Sequence, residues 1–192
     1  MLHGMKQWRM TMSKSVDIIG YPFSTADKLL FDANIWLYIY GPQGNPNDPK
    51  ISTYSRAFNN AIKANSHLLV DVLIVSEFIN RFARMEYYIY YPTKAPRPEF
   101  KQYRNSPAFI PVAKAIIDAL RKILKYASRI DNNFSGVDID ALMNEYENGG
   151  HDFNDQILIR LCQSHNLKLV THDSDFKGKN VDILTSNPMI LI

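Results

Sequence analysis

Lys28-Leu29-Leu30-Phe31-Asp32-Ala33-Asn34-Ile35-Trp36-Leu37-Tyr38-Ile39-Tyr40 changes character at Asp32. Before it stands an apolar run of strand length; after it, Ala33 to Tyr40 reads as a helix, closed by the breaker-rich Gly-Pro-Gln-Gly-Asn-Pro-Asn-Asp-Pro at 41–49. Working outward, the same alternation recurs. Helical spacing resumes from about Ile51 to Asn65, His67 to Val72 reads as a second strand, and Leu73 to Tyr91 is a long helix with Val75, Phe78, Ile79, Phe82 and Met85 on one stripe. Prolines 92, 96, 98 and 107 mark a loop, Ala108 to Tyr126 is again helical, and Asp138 to Glu147 is a short acidic helix ended by Gly149-Gly150. The last third gives a helix from Asn154 to His165, a strand from Leu167 to Thr171 and another over Val181 to Leu184. Helices between short apolar strands predict an α/β fold with a mainly parallel sheet covered on both faces. Residues 28–192 are expected to form one domain with an enlarged helical region at about 92–150. Residues 1–27 are an N-terminal extension of unassigned role in which Ser-Val-Asp-Ile-Ile-Gly-Tyr (15–21) is a candidate extra strand.

The junction at Asp32 has three counterparts. Glu77, Asp155 and the pair Asp173 and Asp175 each stand against an apolar run. In a parallel sheet, Asp32 and Asp173 fall at the carboxyl ends of strands, Glu77 in the first turns of the helix opening at that edge, and Asp155 on the inner stripe of its helix with Leu158 and Cys162. Like charges gathered there raise one another's pKa and lose hydration, so a cation is expected to neutralise them. An all-oxygen donor set suits Mg²⁺ or Mn²⁺, and the five histidines show no zinc-ligand spacing. Each acid also has a local use: Asp32 as a helix cap, Asp152 with Asp155 as a capping box, Asp173 and Asp175 as shapers of a turn. His172 lies beside the site or faces solvent.

Composition narrows the partners. Net charge is only +3, but residues 92–129 carry nine Lys or Arg against two acids, while 131–155 carry seven acids and no Lys or Arg. Such segregation suits a polyanion, or two solvated helices of opposite sign. Arg81 and Arg84 follow Glu77 on its helix, and Lys94, Arg97, Lys101 and Arg104 are interleaved with or follow Tyr87, Tyr88, Tyr90, Tyr91, Phe100 and Tyr103. Aromatic faces and cations together fit unpaired RNA, though tyrosines serve equally in a dimer interface or packed against the core. No apolar run of bilayer length and no signal-peptide core occur, so a soluble, cytoplasmic protein without membrane contact is expected. The single cysteine, Cys162, reads as a core thiol.

These motifs taken in order resemble the PIN-domain nucleases, which include the toxin ribonucleases of type II toxin–antitoxin modules. LLFDANIWLYIY looks like that family's opening strand and helix, with Asn34 at the polar position two residues after Asp32. LLVDVLIVSEFINR resembles the second motif around Ser76-Glu77, and NDQILIRLCQSHNLKLVTHDSDF is similar to the third and fourth joined, bringing Asp155, Thr171, Asp173 and Asp175. The resemblance spans roughly Leu29 to Leu184. It implies a three-layer α/β/α sandwich and Mg²⁺- or Mn²⁺-dependent cleavage of RNA. Asp32, Glu77, Asp155 and Asp173 would be the catalytic metal ligands, Asp175 a secondary one, and Asn34, Ser76 and Thr171 would orient them. An RNA substrate, an antitoxin partner and a homodimer are the associations it raises. Glu77 and Asp155 are 78 residues apart, a longer separation than in the compact toxins. A haloacid-dehalogenase-type phosphatase would need an acid where Asn34 stands. A flap-type DNA nuclease and a non-catalytic nucleic-acid-binding or assembly module remain the alternatives.

Overall fold

The computed structural model describes residues 14–42, 45, 47–92, 97–149 and 152–191. Lys94, Pro96, Gly150 and residues 1–13 of the N-terminal extension lie outside the described residues. Six strands form one all-parallel sheet: β1 (Ser15–Asp17), β2 (Lys28–Phe31), β3 (His67–Val70), β4 (Ala127–Arg129), β5 (Lys168–Val170) and β6 (Asp182–Thr185) in the spatial order β1-β6-β5-β2-β3-β4. Seven helices connect them: α1 (Ala33–Tyr40), α2 (Pro49–Lys63), α3 (Val72–Tyr90), α4 (Phe100–Arg104), α5 (Phe109–Tyr126), α6 (Ile139–Glu147) and α7 (Phe153–His165). Right-handed crossovers put α1 to α5 on one face and α7 on the other. This is the three-layer α/β/α arrangement that the resemblance implies. No helix among the described residues is long and apolar enough to cross a membrane.

Aspartates punctuate the chain because a carboxylate accepts the unpaired N–H groups of a helix start. Asp48 accepts from Lys50 N–H at 2.9 Å, with Pro49 fixing the first helical φ, and Asp138 accepts from Ala141 N–H at 3.0 Å. The second strand ends at Val70 and not Val72, because Asp71 turns the chain into α3 by accepting from Leu73 N–H at 2.7 Å. Apolarity alone had extended the strand. Asp152 does the capping of α7, from Asn154 N–H at 2.8 Å.

The core lies on both faces of the sheet. Leu29, Leu30 and Phe31 of β2 are wholly buried, and Phe31 packs on Trp36 and Phe58 with ring centroids 5.1 and 6.2 Å away. Cys162 is in this core, where burial pushes its thiol up. Two elements have no sequence signal. α4 occupies the proline loop, and β4 follows α5 without an intervening residue; Ala-Ser-Arg is too short and polar to read as a strand. β1 is the candidate strand at 15–21. It pairs in parallel with β6, Val16 opposite Leu184, and covers that edge.

Opposite the carboxyl edge, Asp27 is buried and pairs with Lys168, while Tyr21 donates to its Oδ1 at 2.9 Å and Ser24 N–H to its Oδ2 at 2.8 Å. Burial tends to raise the Asp27 pKa, but Lys168 and the donors hold it below the usual carboxylate range. This cluster ties the segment after β1 to β2 and β5.

Candidate active site

β2 and β5 are neighbours, with Leu30 opposite Leu169 and Phe31 opposite Val170, so Asp32 and Thr171 leave the sheet side by side. Asp32 is buried and caps α1, its Oδ1 accepting from Ala33 N–H at 2.6 Å. Its Oδ2 accepts from the Thr171 hydroxyl at 2.7 Å and from the Asn34 amide. Thr171 Oγ1 in turn accepts from Asp173 N–H at 3.0 Å. Asp173 caps the short turn at Ser174–Phe176 through Asp175 N–H at 3.1 Å. The local readings of Asp32 and Asp173 therefore hold, and holding each carboxylate this way also fixes its direction.

Electrostatics tie the separate elements together. Burial raises Asp32 to about 6, with the charges of Glu77 and Asp173 adding to the rise against the hydrogen bonds of Thr171 and Ala33. Asp155, half-buried on α7, is pushed up to about 7 by burial first and then by Asp32, Asp152, Asp173 and Glu77. Four acids from four elements thus feel one another at one edge. Asp175 is exposed and is joined to them through its backbone.

Their side chains do not close on a common point. Among the described residues no three His, Cys, Asp or Glu side chains are placed to enclose an ion. Glu77 instead pairs with Arg81 one turn along α3, at 3.0 Å. The donor set fits a hard divalent cation in chemistry, since it offers only carboxylate oxygens whose mutual repulsion a cation would relieve. Glu77 would have to leave Arg81 to join it. Ser76 is exposed, its Oγ 3.5 Å from the Asn80 amide on the same helix.

The basic residues fall in two groups. Arg81 is near the acids. Arg84 stacks over Phe100 and Arg97 over Tyr88, at 4.7 and 5.2 Å from the ring centroids, and Lys101 and Arg104 are exposed on α4. Ten residues of helix put Tyr87 about 15 Å from Glu77, so this second group is remote. Tyr87 and Tyr103 are buried against each other, centroids 5.6 Å apart, and are core residues of the projection, whereas Tyr88 and Tyr90 are exposed.

An aromatic network beside the acids had no sequence signal. His172, between Thr171 and Asp173, has Nδ1 2.8 Å from the hydroxyl of wholly buried Tyr54, and that hydroxyl accepts from Ser186 N–H at 3.0 Å. Tyr38 stacks on Tyr54, and His172 stands edge-on to both. Burial, then Lys50, holds His172 below the ordinary histidine range, so its ring is neutral at pH 7. Only the pairing of β5 with β2, 137 positions apart, brings Asn34 to Thr171.

The PIN domain family model matches residues 29–181. A chain of VapBC2 from Rickettsia felis, solved bound to a DNA fragment from their promoter, superposes with a TM-score of 0.50 at 17% identity. The match covers 82% of this chain and 98% of that one, a likeness of fold. No curated protein matches in sequence. With its parallel sheet, its acids at the carboxyl edge and a family match over most of its length, the chain belongs to the PIN domain family, whose members are generally nucleases.

Proposed function

We propose that this chain hydrolyses phosphodiester bonds of RNA with Mg²⁺ or Mn²⁺ held by Asp32, Glu77, Asp155 and Asp173, and with Asp175 in a secondary position. The observation that carries the reading is the gathering of Asp32, Glu77, Asp155 and Asp173 at one edge of the sheet, where burial first and then the neighbouring acids raise Asp32 and Asp155, an arrangement costly without a cation and useful with one. Bound there, the metal would supply an activated water and stabilisation of the leaving oxygen. Asn34 and Thr171 hold the outer oxygen of Asp32 and so fix its orientation. Ser76, beside Glu77, is exposed and would orient a ligand or a water. Glu77 would give up its pair with Arg81 to hold a cation, and Arg81 would then be available to a substrate phosphate. Arg84, Lys94, Arg97, Lys101 and Arg104 would neutralise phosphates further along the strand.

The likeness to a VapBC2 chain supports an antitoxin as partner, and the exposed tyrosines of the projection support a homodimer. The test is cleavage of a single-stranded RNA and the DNA of the same sequence with Mg²⁺, with Mn²⁺ and with EDTA. Metal-dependent cleavage of the RNA is expected. Preference for the DNA would move the chain to the flap-type reading, and RNA binding without cleavage under either metal would make it a non-catalytic module. A small reading frame overlapping upstream is expected if it works as a toxin.

A further inference from the structure

His172 stands between Thr171, whose hydroxyl holds Asp32, and Asp173, whose carboxylate caps the next turn. Partners from three parts of the chain hold it. Its N–H donates to Asn34 Oδ1 on α1 at 3.3 Å, its carbonyl accepts from the Asn187 amide at 2.8 Å, and its ring Nδ1 lies 2.8 Å from the Tyr54 hydroxyl on α2. Asn187 and Tyr54 belong to none of the acidic motifs. Both are buried and are themselves fixed. Asn187 follows β6; its N–H donates to Thr185 Oγ1 and its Oδ1 accepts from Met189 N–H, each at 3.0 Å, so a local turn aims its amide. The Tyr54 hydroxyl accepts from Ser186 N–H at 3.0 Å and reaches the Thr171 carbonyl at 3.3 Å. α2 and the segment after β6 therefore meet each other at Tyr54 and close together on residues 171 and 172. Anchoring that segment needs no polar contact of this kind, since Ile190 already buries it in the core. Asn187 instead divides its side chain, with the oxygen on its own turn and the amide across to His172.

We propose that Asn187 and Tyr54 are positioning residues of the metal site: acting through His172, they fix the Thr171 hydroxyl and the Asp173 carboxylate relative to one another, and so set how Asp32 and Asp173 meet a shared cation. The proposal rests on the metal reading above for what is positioned, while the hold on His172 stands by itself. Like charges gathered at one edge push the loop carrying Asp173 away from Asp32. A peptide held at both its N–H and its carbonyl keeps that loop in place before a cation arrives, so the cost of ordering it is not subtracted from binding. Removing either hold leaves every carboxylate present but loosely directed.

The experiment compares wild type, Tyr54→Phe and Asn187→Ala in two measurements without RNA: amide hydrogen exchange in EDTA, and Mn²⁺ titration followed by electron paramagnetic resonance. Exchange at the N–H groups of His172, Asp173 and Asp175 is expected to quicken about tenfold in each variant, with the β2 amides unchanged. Mn²⁺ affinity should fall about tenfold or more. A contact that serves stability alone would instead lower the melting temperature and speed exchange across the whole sheet while the folded protein keeps wild-type affinity, and that result overturns the proposal. Variants that match wild type in both measurements overturn it as well. Should Asn187→Ala fail to fold, Tyr54→Phe, which keeps the ring and loses only the hydroxyl, decides. Quickened exchange in the variants of a protein that binds no Mn²⁺ would refute the metal reading and keep the hold on His172; Mn²⁺ bound by wild type and by both variants with equal affinity would do the reverse.

Discussion

At the scale of single residues, the two elevated carboxylates govern what can be measured. Asp32→Asn and Asp155→Asn are each expected to cut cleavage by about a hundredfold or more, as loss of one metal-binding charge in a coupled site does. Stability should not fall with activity, because Asn also caps a helix and the substitution removes a buried charge. Melting temperatures of the variants at or above wild type, measured without metal at pH 8, would agree; marked loss would show that Asp32 is structural. The pH dependence follows from the same groups. Their folded values, about 6 and about 7, lie above the ordinary 3.8. The folded state therefore holds the proton more tightly, and the metal-free protein should lose stability as pH rises from about 4 to about 7. For buried Asp32 the gap of about two units corresponds to about 3 kcal/mol. Denaturant midpoints that rise over that range would contradict it. The four acids were legible in the sequence because each stands against an apolar run. The role of Tyr54 was not, since the partners of its hydroxyl lie just after β5 and β6, over a hundred positions away.

Among elements, α3 carries two roles at its two ends. Its first turns bring Glu77 to the carboxyl edge, and its last turns form an aromatic cluster with α4 and α5, in which Tyr103 lies 5.5 Å from Phe109. Tyr103→Ala is expected to destabilise the protein by about 3 kcal/mol, as for a large buried aromatic, and exposed Tyr88→Ala by less than about 0.5. Urea unfolding checks both. Replacing Arg97, Lys101 and Arg104 by Ala should reduce the salt dependence of RNA binding without changing the metal response; an unchanged salt slope together with a change of oligomeric state would make this projection an assembly surface. Apart from α4, helix starts were legible to within about two residues, most of them beside an aspartate, whereas strand ends were not: Asp71 looks like a strand residue until its carboxylate is seen on Leu73 N–H. β4 has too few residues to carry a pattern, and only its pairing with β3 defines it.

For the whole molecule, a divalent ion should act as a structural ligand as well as a cofactor. Millimolar Mn²⁺ is expected to raise the melting temperature over EDTA, with about 2.7 kcal/mol at a hundred times the dissociation constant. The gain should grow with pH up to about 7, where Asp32 and Asp155 are charged; identical midpoints at pH 8 would argue against the cluster. The α/β class and the edge holding the acids followed from alternation, but the order of strands did not, because nothing local states that β5 lies between β2 and β6. That order has a temporal side. A ribosome releases β1 and β2 early, yet β1 waits for β6 and β2 for β5, the last two strands in the chain. At roughly 5–20 residues per second, Asp32 precedes Asp173 by on the order of 10 s. Until Asp155 is made the nascent chain holds at most two of the four acids, Asp32 and Glu77, and lacks α7. A shortened chain ending near residue 150 should accordingly be digested throughout by protease and ignore Mn²⁺, so that in a cell making this protein the proposed metal site is completed only when the last strands are translated.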